Sequence, residues 1–343
     1  MSFADALLPF SNLVHFWWLP ILAVLLDRMI GDPPTVPHPV RWIGALLGFI
    51  EPRARRFSAS ERLAGFLAAM AALFLTWLAV HVLLLFPFFM ATVFAVYLGF
   101  AGLALGQLLR EGKAALALLA ANDIPGARAA VGMLVSRDVS NADHGELCRV
   151  LAETLSENCN DAFIAPFFWL VLGGPAGLWL YKTASTMDSM WGYPYEPWTR
   201  FGTVAARLDD VLAYVPARLT ALFLYFGMVF RNWRNWRNWR NRKTAGTGAP
   251  AWPGFARLAR DAKTMKSPNA GWPMAACAWI HGAAMGGKAV YDGKIVDKPV
   301  LGPPGASWTT DKLRDLLEAI TVSAYGGAAL LWLTGCLFWG IVA

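Results

Sequence analysis

Two neighbouring stretches of this chain, Leu63–Phe86 and Phe88–Leu109, contain no Asp, Glu, Lys or Arg. A hydrocarbon core of about 30 Å is crossed by roughly 20 apolar residues in helical form. Both stretches are long enough, and Pro87 between them suits a tight turn, so the pair reads as a transmembrane hairpin. Thr321–Ala343 is a third uncharged run of this kind. Residues 13–26 form a shorter one that ends at Asp27 and crosses only with help from its flanks. Composition agrees with this reading. The chain is 57% hydrophobic and 15% charged, against about 25% charged in soluble domains. Its 17 Trp residues suit the bilayer interface, which accommodates both the apolar ring and the N–H.

Three further apolar stretches are interrupted. Ala162–Tyr181 carries Gly173-Gly174-Pro175 at its middle, which a helix tolerates poorly. Two half-helices meeting there would make a re-entrant hairpin over residues 162–190, a backbone path allowed at membrane depth only where protein or a cavity surrounds it. A re-entrant path keeps residues 182–210 in the cytoplasm and a full span puts them outside, and hydropathy does not choose between the two. Val211–Phe230, with Pro216 and Arg218, and Gly271–Gly287, with Pro273 and His281, read as helices packed inside the protein. The expected fold is an all-α polytopic membrane protein, one domain over residues 1–343, with about four to six membrane-embedded helical segments. Arg28, Arg41, Arg53, Arg55, Arg56 and Arg62 put the loop before the hairpin in the cytoplasm, and residues 110–161 form a helical surface region on the same side.

The net charge of +7 then has a membrane explanation, since cytoplasmic loops are rich in Lys and Arg that meet anionic lipid. Residues 231–250 open with a three-residue Arg-Asn-Trp repeat, a period that fits no helical or strand face. It reads as a basic low-complexity insertion whose Arg residues meet lipid phosphates. Nothing else in the chain supports nucleic-acid binding. The four cysteines form no CxxC pair and no zinc spacing, so free thiols are expected. The segment GAAMGGKA at 282–289 fits phosphate-loop spacing up to Lys288, but Ala289 stands where Ser or Thr must bind Mg²⁺.

Polar residues cluster in five motifs. The first, DRMIGDPPTVPHPVRWIG from Asp27 to Gly44, presents Asp27, Asp32, His38 and Arg41 on a stretch stiffened by Pro and Gly. In the second, Glu146, Arg149, Glu153, Glu157 and Asp161 recur at steps of three and four, which puts the carboxylates on one helical face. A divalent cation such as Mg²⁺ explains such a stripe, and so does pairing with Arg residues of neighbouring helices. Asn158 adds an amide able to bond a ligand. The third holds Lys182 and Asp188, the fourth Arg207, Asp209 and Asp210, and the fifth Lys266, Ser267 and Asn269 before a helix. Arg and Lys suit phosphate, and the carboxylate pair suits a metal or a helix end.

Together, GDPPTVPHPVRWIG, SEN at 156–158 with APFFW at 165–169, YKTASTMDSMWGY, ARLDD and SPNAGWPMAA resemble the CobD/CbiB family of cobalamin biosynthesis from Asp27 to about Gly302. The resemblance implies an adenosylcobinamide-phosphate synthase, which joins the corrinoid adenosylcobyric acid to aminopropanol phosphate or ethanolamine phosphate. It also implies Mg²⁺ and ATP, a bacterial inner-membrane location with a cytoplasmic active face, and other cobalamin-pathway enzymes as partners. Under it, Glu153, Glu157 and Asp188 are the catalytic candidates. Asp32, His38, Arg41, Asn158, Lys182, Arg207, Lys266 and Asn269 are the substrate-binding candidates. Glu157, Asp161, Asp209 and Asp210 are the metal candidates. A non-catalytic AmpE-like regulator and a corrinoid transporter with a broken helix at Gly173-Gly174-Pro175 are the competing expectations.

Overall fold

The structure is a computed structural model that describes residues 17–31, 38–58, 60–234, 253–291 and 293–342. In chain order the helices are α1 (Leu19–Met29), α2 (Pro39–Phe57), α3 (Glu61–Leu84), α4 (Phe88–Ala101), α5 (Leu105–Ala120), α6 (Ile124–Gly132) and α7 (His144–Cys159). A π-helical turn, Asn160–Ile164, leads into α8 (Ala165–Trp191). Then come α9 (Thr203–Leu212), α10 (Tyr214–Arg234), α11 (Phe255–Ala262), α12 (Gly271–His281), strands β1 (Met285–Tyr291) and β2 (Lys294–Leu301), and α13 (Thr310–Val342). Four helices among the described residues are long and apolar enough to cross a membrane, or five if the bent pair α9–α10 counts as one span. The chain folds into two compact units.

The first unit comprises residues 1–106, 165–213 and 329–343. Helix α3 opens on Ser60, whose hydroxyl accepts the Leu63 N–H at 3.5 Å. It buries Ala64, Ala68, Ala69 and Ala72 and leaves Phe66, Phe74, Leu75 and Leu78 exposed. Small residues inside and large apolar ones outside invert the soluble pattern. Lipid removes the hydrophobic drive to bury Leu and Phe, and small residues let backbones approach. The 88–109 run lies within the candidate span Phe88–Ala120, interrupted between the end of α4 at Ala101 and the start of α5 at Leu105.

The expected reversal in α8 is present. Gly174 has φ 59° and ψ −157°, a conformation that glycine adopts without strain. A Cβ at Gly177 would lie 2.6 Å from the Trp169 carbonyl, eight residues back. A continuous helix would separate those levels by about 12 Å. Ala165 and Tyr181 share one buried cluster with Ala213. Both pairs, 169 with 177 and 165 with 181, centre on residue 173, as two antiparallel arms require. Trp169 closes the cluster by donating its indole N–H to the Leu212 carbonyl at 3.1 Å.

The second unit comprises residues 107–164 and 214–328. Its centre is α7, capped by Asp143, which accepts the Glu146 N–H at 2.8 Å. This helix buries Leu147, Val150, Leu151 and Leu155 in the ordinary soluble manner, so part of the stretch read as surface is core. Helix α12 packs against α7, α10 and α11. Cys148, Cys159 and Cys277 are buried free thiols in this unit, and Cys336 is a free, half-buried one in the first.

The fold is helical as expected, with one small addition and, at Arg231, one correction. Strands β1 and β2 pair as an antiparallel hairpin, with Gly287 opposite Lys298 and a bulge between Met285 and Gly287. The P-loop-like segment is therefore the start of this hairpin. Arg231, the first residue of the Trp-rich repeat, is 4% exposed and pairs with Asp315 at 3.1 Å and Glu318 at 3.2 Å, so it meets carboxylates inside its unit instead of lipid. The rest of that repeat, from Asn235, and Asp32 lie outside the described residues.

Candidate functional site

The candidate residues divide between the two units. In the first, His38 is the N-cap of α2, its Nδ1 accepting the Val40 N–H at 3.2 Å. Arg41 follows in the first turn of that helix with its side chain exposed. Asp27 is fully buried in α1 and accepts the Gly106 N–H at 2.9 Å, which joins α1 to the start of α5. The Asp27-Arg28 motif thus includes one residue committed to packing.

Lys182 and Asp188 lie on the second arm of α8, both half-buried. The Asp188 carbonyl accepts the Gly192 N–H at 2.7 Å, ending the helix. A Cβ at Gly192 would fall 1.9 Å from the Asp188 carboxylate, so the glycine keeps that side chain's position open. Asp209 and Asp210 stand on α9, which packs against α8. Asp188 and Asp210 act on one another as like charges. Arg207 reaches Asp210 at 3.8 Å while staying 80% exposed. At that exposure the ion pair is weak, and the guanidinium is available to a ligand.

In the second unit the acidic stripe on α7 separates into two parts. Glu153 is 1% exposed and ion-paired. It pairs with Arg137 at 2.6 Å and Arg149 at 2.9 Å and accepts the Gly286 N–H at 2.7 Å. Arg149 continues onto the hairpin, bonding the carbonyls of Gly286 and Lys288. The Asp138 N–H donates to the Val290 carbonyl at 2.9 Å, tying the 137–138 loop to the same strand. Glu153 therefore anchors the β-hairpin to α7. Gly286 has φ 89°, the left-handed region in which it presents this N–H at the bulge.

One turn later Glu157 remains partly open. Asp161 follows on the π turn, where the extra residue per turn shifts the helical face. Asp161 is held from behind: the Asn160 amide donates to it at 2.7 Å, and Thr220 donates to the Asn160 carbonyl oxygen at 2.9 Å. The charges acting on Glu157 are Asp161 and Glu153 on one side and Lys298 and Arg137 on the other. Asn158 turns its amide back to the Thr154 carbonyl at 2.9 Å.

The fifth motif meets α10. Asn269 is 3% exposed, and its side-chain oxygen accepts from Arg218 at 3.4 Å. Arg218 also lies over the Tyr214 and Trp272 rings, 3.3 and 4.7 Å from their centroids. Ser267 accepts the N–H groups of Asn269 and Ala270 and so shapes the turn into α12. Lys266 is exposed beside it. Asp261 accepts the Trp279 indole N–H at 2.8 Å and the Gly302 N–H at 3.0 Å.

Among the described residues no three His, Cys, Asp or Glu side chains gather as metal ligands. Mg²⁺ needs fewer, since it takes one or two carboxylates together with substrate phosphates and water. The pairs Glu157–Asp161 and Asp188–Asp210 fit that mode and not a closed protein cage. Arg137 and Lys298, which complete the Glu157 surroundings, carry no motif signal. Lys298 lies 141 residues beyond Glu157, a distance that sequence spacing does not register, and Arg137 stands in a loop without periodicity.

A family model described as CobD/Cbib protein matches residues 20–320. Cobalamin biosynthesis protein CobD of Pelobacter propionicus is 35% identical over 324 residues, 93% of this chain and 95% of its own. Its namesake in Klebsiella pneumoniae is 34% identical over 327 residues, 93% of this chain and 96% of its own. Cobalamin biosynthesis protein CbiB of Salmonella typhi is 33% identical over 328 residues, 93% of this chain and 98% of its own. No solved structure matches the chain. The family match covers both units and all five motifs: this chain belongs to the CobD/CbiB family.

Proposed function

We propose that this protein works in cobalamin biosynthesis as the synthase that joins adenosylcobyric acid to aminopropanol phosphate or ethanolamine phosphate, at the cytoplasmic face of a bacterial inner membrane. The names of its relatives support the pathway. The observation that carries the reaction is the Glu157–Asp161 pair. Its second carboxylate is fixed through Asn160 and Thr220, and it lies beside two cations instead of being consumed by packing as Glu153 is.

Amide formation makes a C–N bond, expels an oxygen from an activated carboxyl group and removes a proton from the ammonium of the incoming amine. The groups required are a base near the nitrogen, cations for phosphate oxygens, and fixed dipoles that need no rearrangement. Glu157 takes the ammonium proton, with Asp161 holding the nitrogen in place. Lys266 and Arg218, in the same unit, meet phosphate oxygens. Mg²⁺ and ATP, when bound, would supply the activation of the corrinoid carboxylate; the carboxylate pairs that suit the metal are Glu157–Asp161 in the second unit and Asp188–Asp210 in the first.

The test is Glu157→Gln in the full-length protein in nanodiscs, assayed with corrinoid, amino-alcohol phosphate and MgATP. Turnover is expected to fall by about 10²- to 10⁴-fold, with thermal unfolding unchanged. Turnover within a few-fold of the parent removes Glu157 from the reaction. Corrinoid crossing the bilayer with no covalent product replaces the synthase with a transporter.

A further inference from the structure

The geometry points to a phospholipid site in the first unit: the phosphodiester of one membrane lipid sits between Arg62 and Arg200 in the cleft at the start of α3, and its acyl chains run down the outward face of that helix. The inference stands apart from the synthase reaction and uses none of its residues.

A cleft of about 450 Å³ is lined by Ser60, Glu61 and Arg62 at the start of α3 and by Glu196 and Arg200 of the loop between α8 and α9. Its walls are tied together. Arg55, in the last turn of α2, pairs with Glu61 at 3.0 Å and donates to the Pro197 carbonyl at 3.0 Å. Its guanidinium lies 4.2 Å from the Phe201 ring centre. A Cβ at Gly65 would fall 2.0 Å from the Phe201 carbonyl oxygen, so helix and loop meet with no side chain between them. Both walls are held by contacts that a ligand need not supply.

The charges in the cleft select a singly negative group. Glu61 is already met by Arg55. The side chains of Arg62, Arg200 and Glu196 are exposed and make no ion pair among the described residues. Two arginines against one carboxylate leave one positive charge. A phosphodiester brings one negative charge and two oxygens suited to forked guanidinium donors. A phosphate monoester carries about −1.5 to −2 at neutral pH and overshoots.

Position supplies the rest. Helix α3 is one of the candidate membrane spans, so its first turn stands at the membrane surface, where arginines meet head groups. From the cleft onward, Leu63, Phe66, Leu67 and Met70 are exposed. Steps of three and four put them on one helical face, and Arg62 stands one turn above Phe66. A soluble phosphate leaves that stripe uncovered. A molecule with a phosphodiester head and apolar chains fits the cleft and the stripe at once.

The experiment uses the full-length protein in dodecyl maltoside, a detergent with neither charge nor phosphate, and reads binding by native mass spectrometry. The probes are dioleoyl phosphatidylglycerol, dioleoylglycerol, which keeps the chains and lacks the phosphate, and glycerophosphoglycerol, which keeps the head and lacks the chains. Phosphatidylglycerol is expected to bind, and the other two at least about tenfold more weakly, a gap of about 1.4 kcal/mol. Replacing both arginines, Arg62→Gln with Arg200→Gln, is expected to weaken phosphatidylglycerol about tenfold and to leave dioleoylglycerol unchanged. Both positions are exposed, so thermal unfolding of this variant without lipid is expected to match the parent. Arg314→Gln, at an exposed position of the second unit, is expected to change nothing. Absence of phosphatidylglycerol binding by the parent overturns the site, as does an equal loss in the Arg314 variant. Equal binding of glycerophosphoglycerol gives the cleft to a soluble phosphate and removes the lipid.

Discussion

Helix α3 turns Phe66, Phe74, Leu75 and Leu78 outward and buries alanines, whereas α7 buries Leu147, Leu151 and Leu155 and encloses the carboxylate of Glu153. Both are regular helices opened by a side-chain cap. The difference between them is one of solvent. Helix α3 is built for a medium in which Leu and Phe gain nothing by hiding, so contact is reserved for small residues. Helix α7 is built for water, where apolar burial drives folding and a buried charge survives only if paired. One chain thus carries a lipid-type helix in its first unit and a water-type helix in its second, and Glu157 follows Glu153 on the latter.

The comparison breaks first at Glu153. Glu153→Ala leaves Arg137 and Arg149 without their shared carboxylate and removes the Gly286 anchor. Loss of one partner from a buried ion pair costs about 3–5 kcal/mol. Chemical unfolding is expected to show a loss of this size, together with faster hydrogen exchange over β1 and β2. A loss below about 1 kcal/mol, the scale of a surface ion pair, would mean that the carboxylate is not the anchor.

The next test concerns α3. Phe74→Arg places a charge on the outward face, where membrane insertion of Arg near a helix centre costs about 2.5–3.5 kcal/mol. The amount of protein inserted is expected to fall. The same substitution at an exposed position of α6 has no such effect, and equal tolerance at both positions would place α3 in water.

The smallest effect is one of pH. Burial holds the His281 imidazole down at about 4, below its ordinary 6.5. Its Nδ1 faces the Cys277 carbonyl at 3.0 Å, and Asp315 and Arg231 act on it from α13 and α10. The unfolded chain therefore takes up the proton first. Stability is complete above about pH 6.5 and declines as pH falls toward 4. His281→Gln is expected to flatten that slope in unfolding measurements between these limits. An unchanged slope moves the acid sensitivity elsewhere.

The first unit was the more legible in the sequence. Uncharged runs mark α3 and the C-terminal part of α13, and Gly173-Gly174-Pro175 marks the reversal, because hydropathy and backbone restriction are local properties. The second unit was read less well. The stripe from Glu146 to Asp161 was visible, but Glu153 and Glu157 look alike in it. They are told apart by Arg137 and by Gly286, which lies 133 residues away from Glu153. The β-hairpin was missed because Gly286-Gly287 and Pro299 obscure strand alternation. Arg231 was read with the repeat that follows it, although its partners Asp315 and Glu318 come from a distant helix.

The turn-back at Gly174 also fixes the parity of the chain. Set in a bilayer, two antiparallel arms would enter and leave through the same surface, and the stretch that contains α8 would then drop out of the four apolar candidates for crossing. Reporters fused near residue 164 and near residue 192 should therefore light up together, whichever compartment they report. A topology map that assigns them opposite sides has counted the apolar residues on both sides of Gly174 as one crossing.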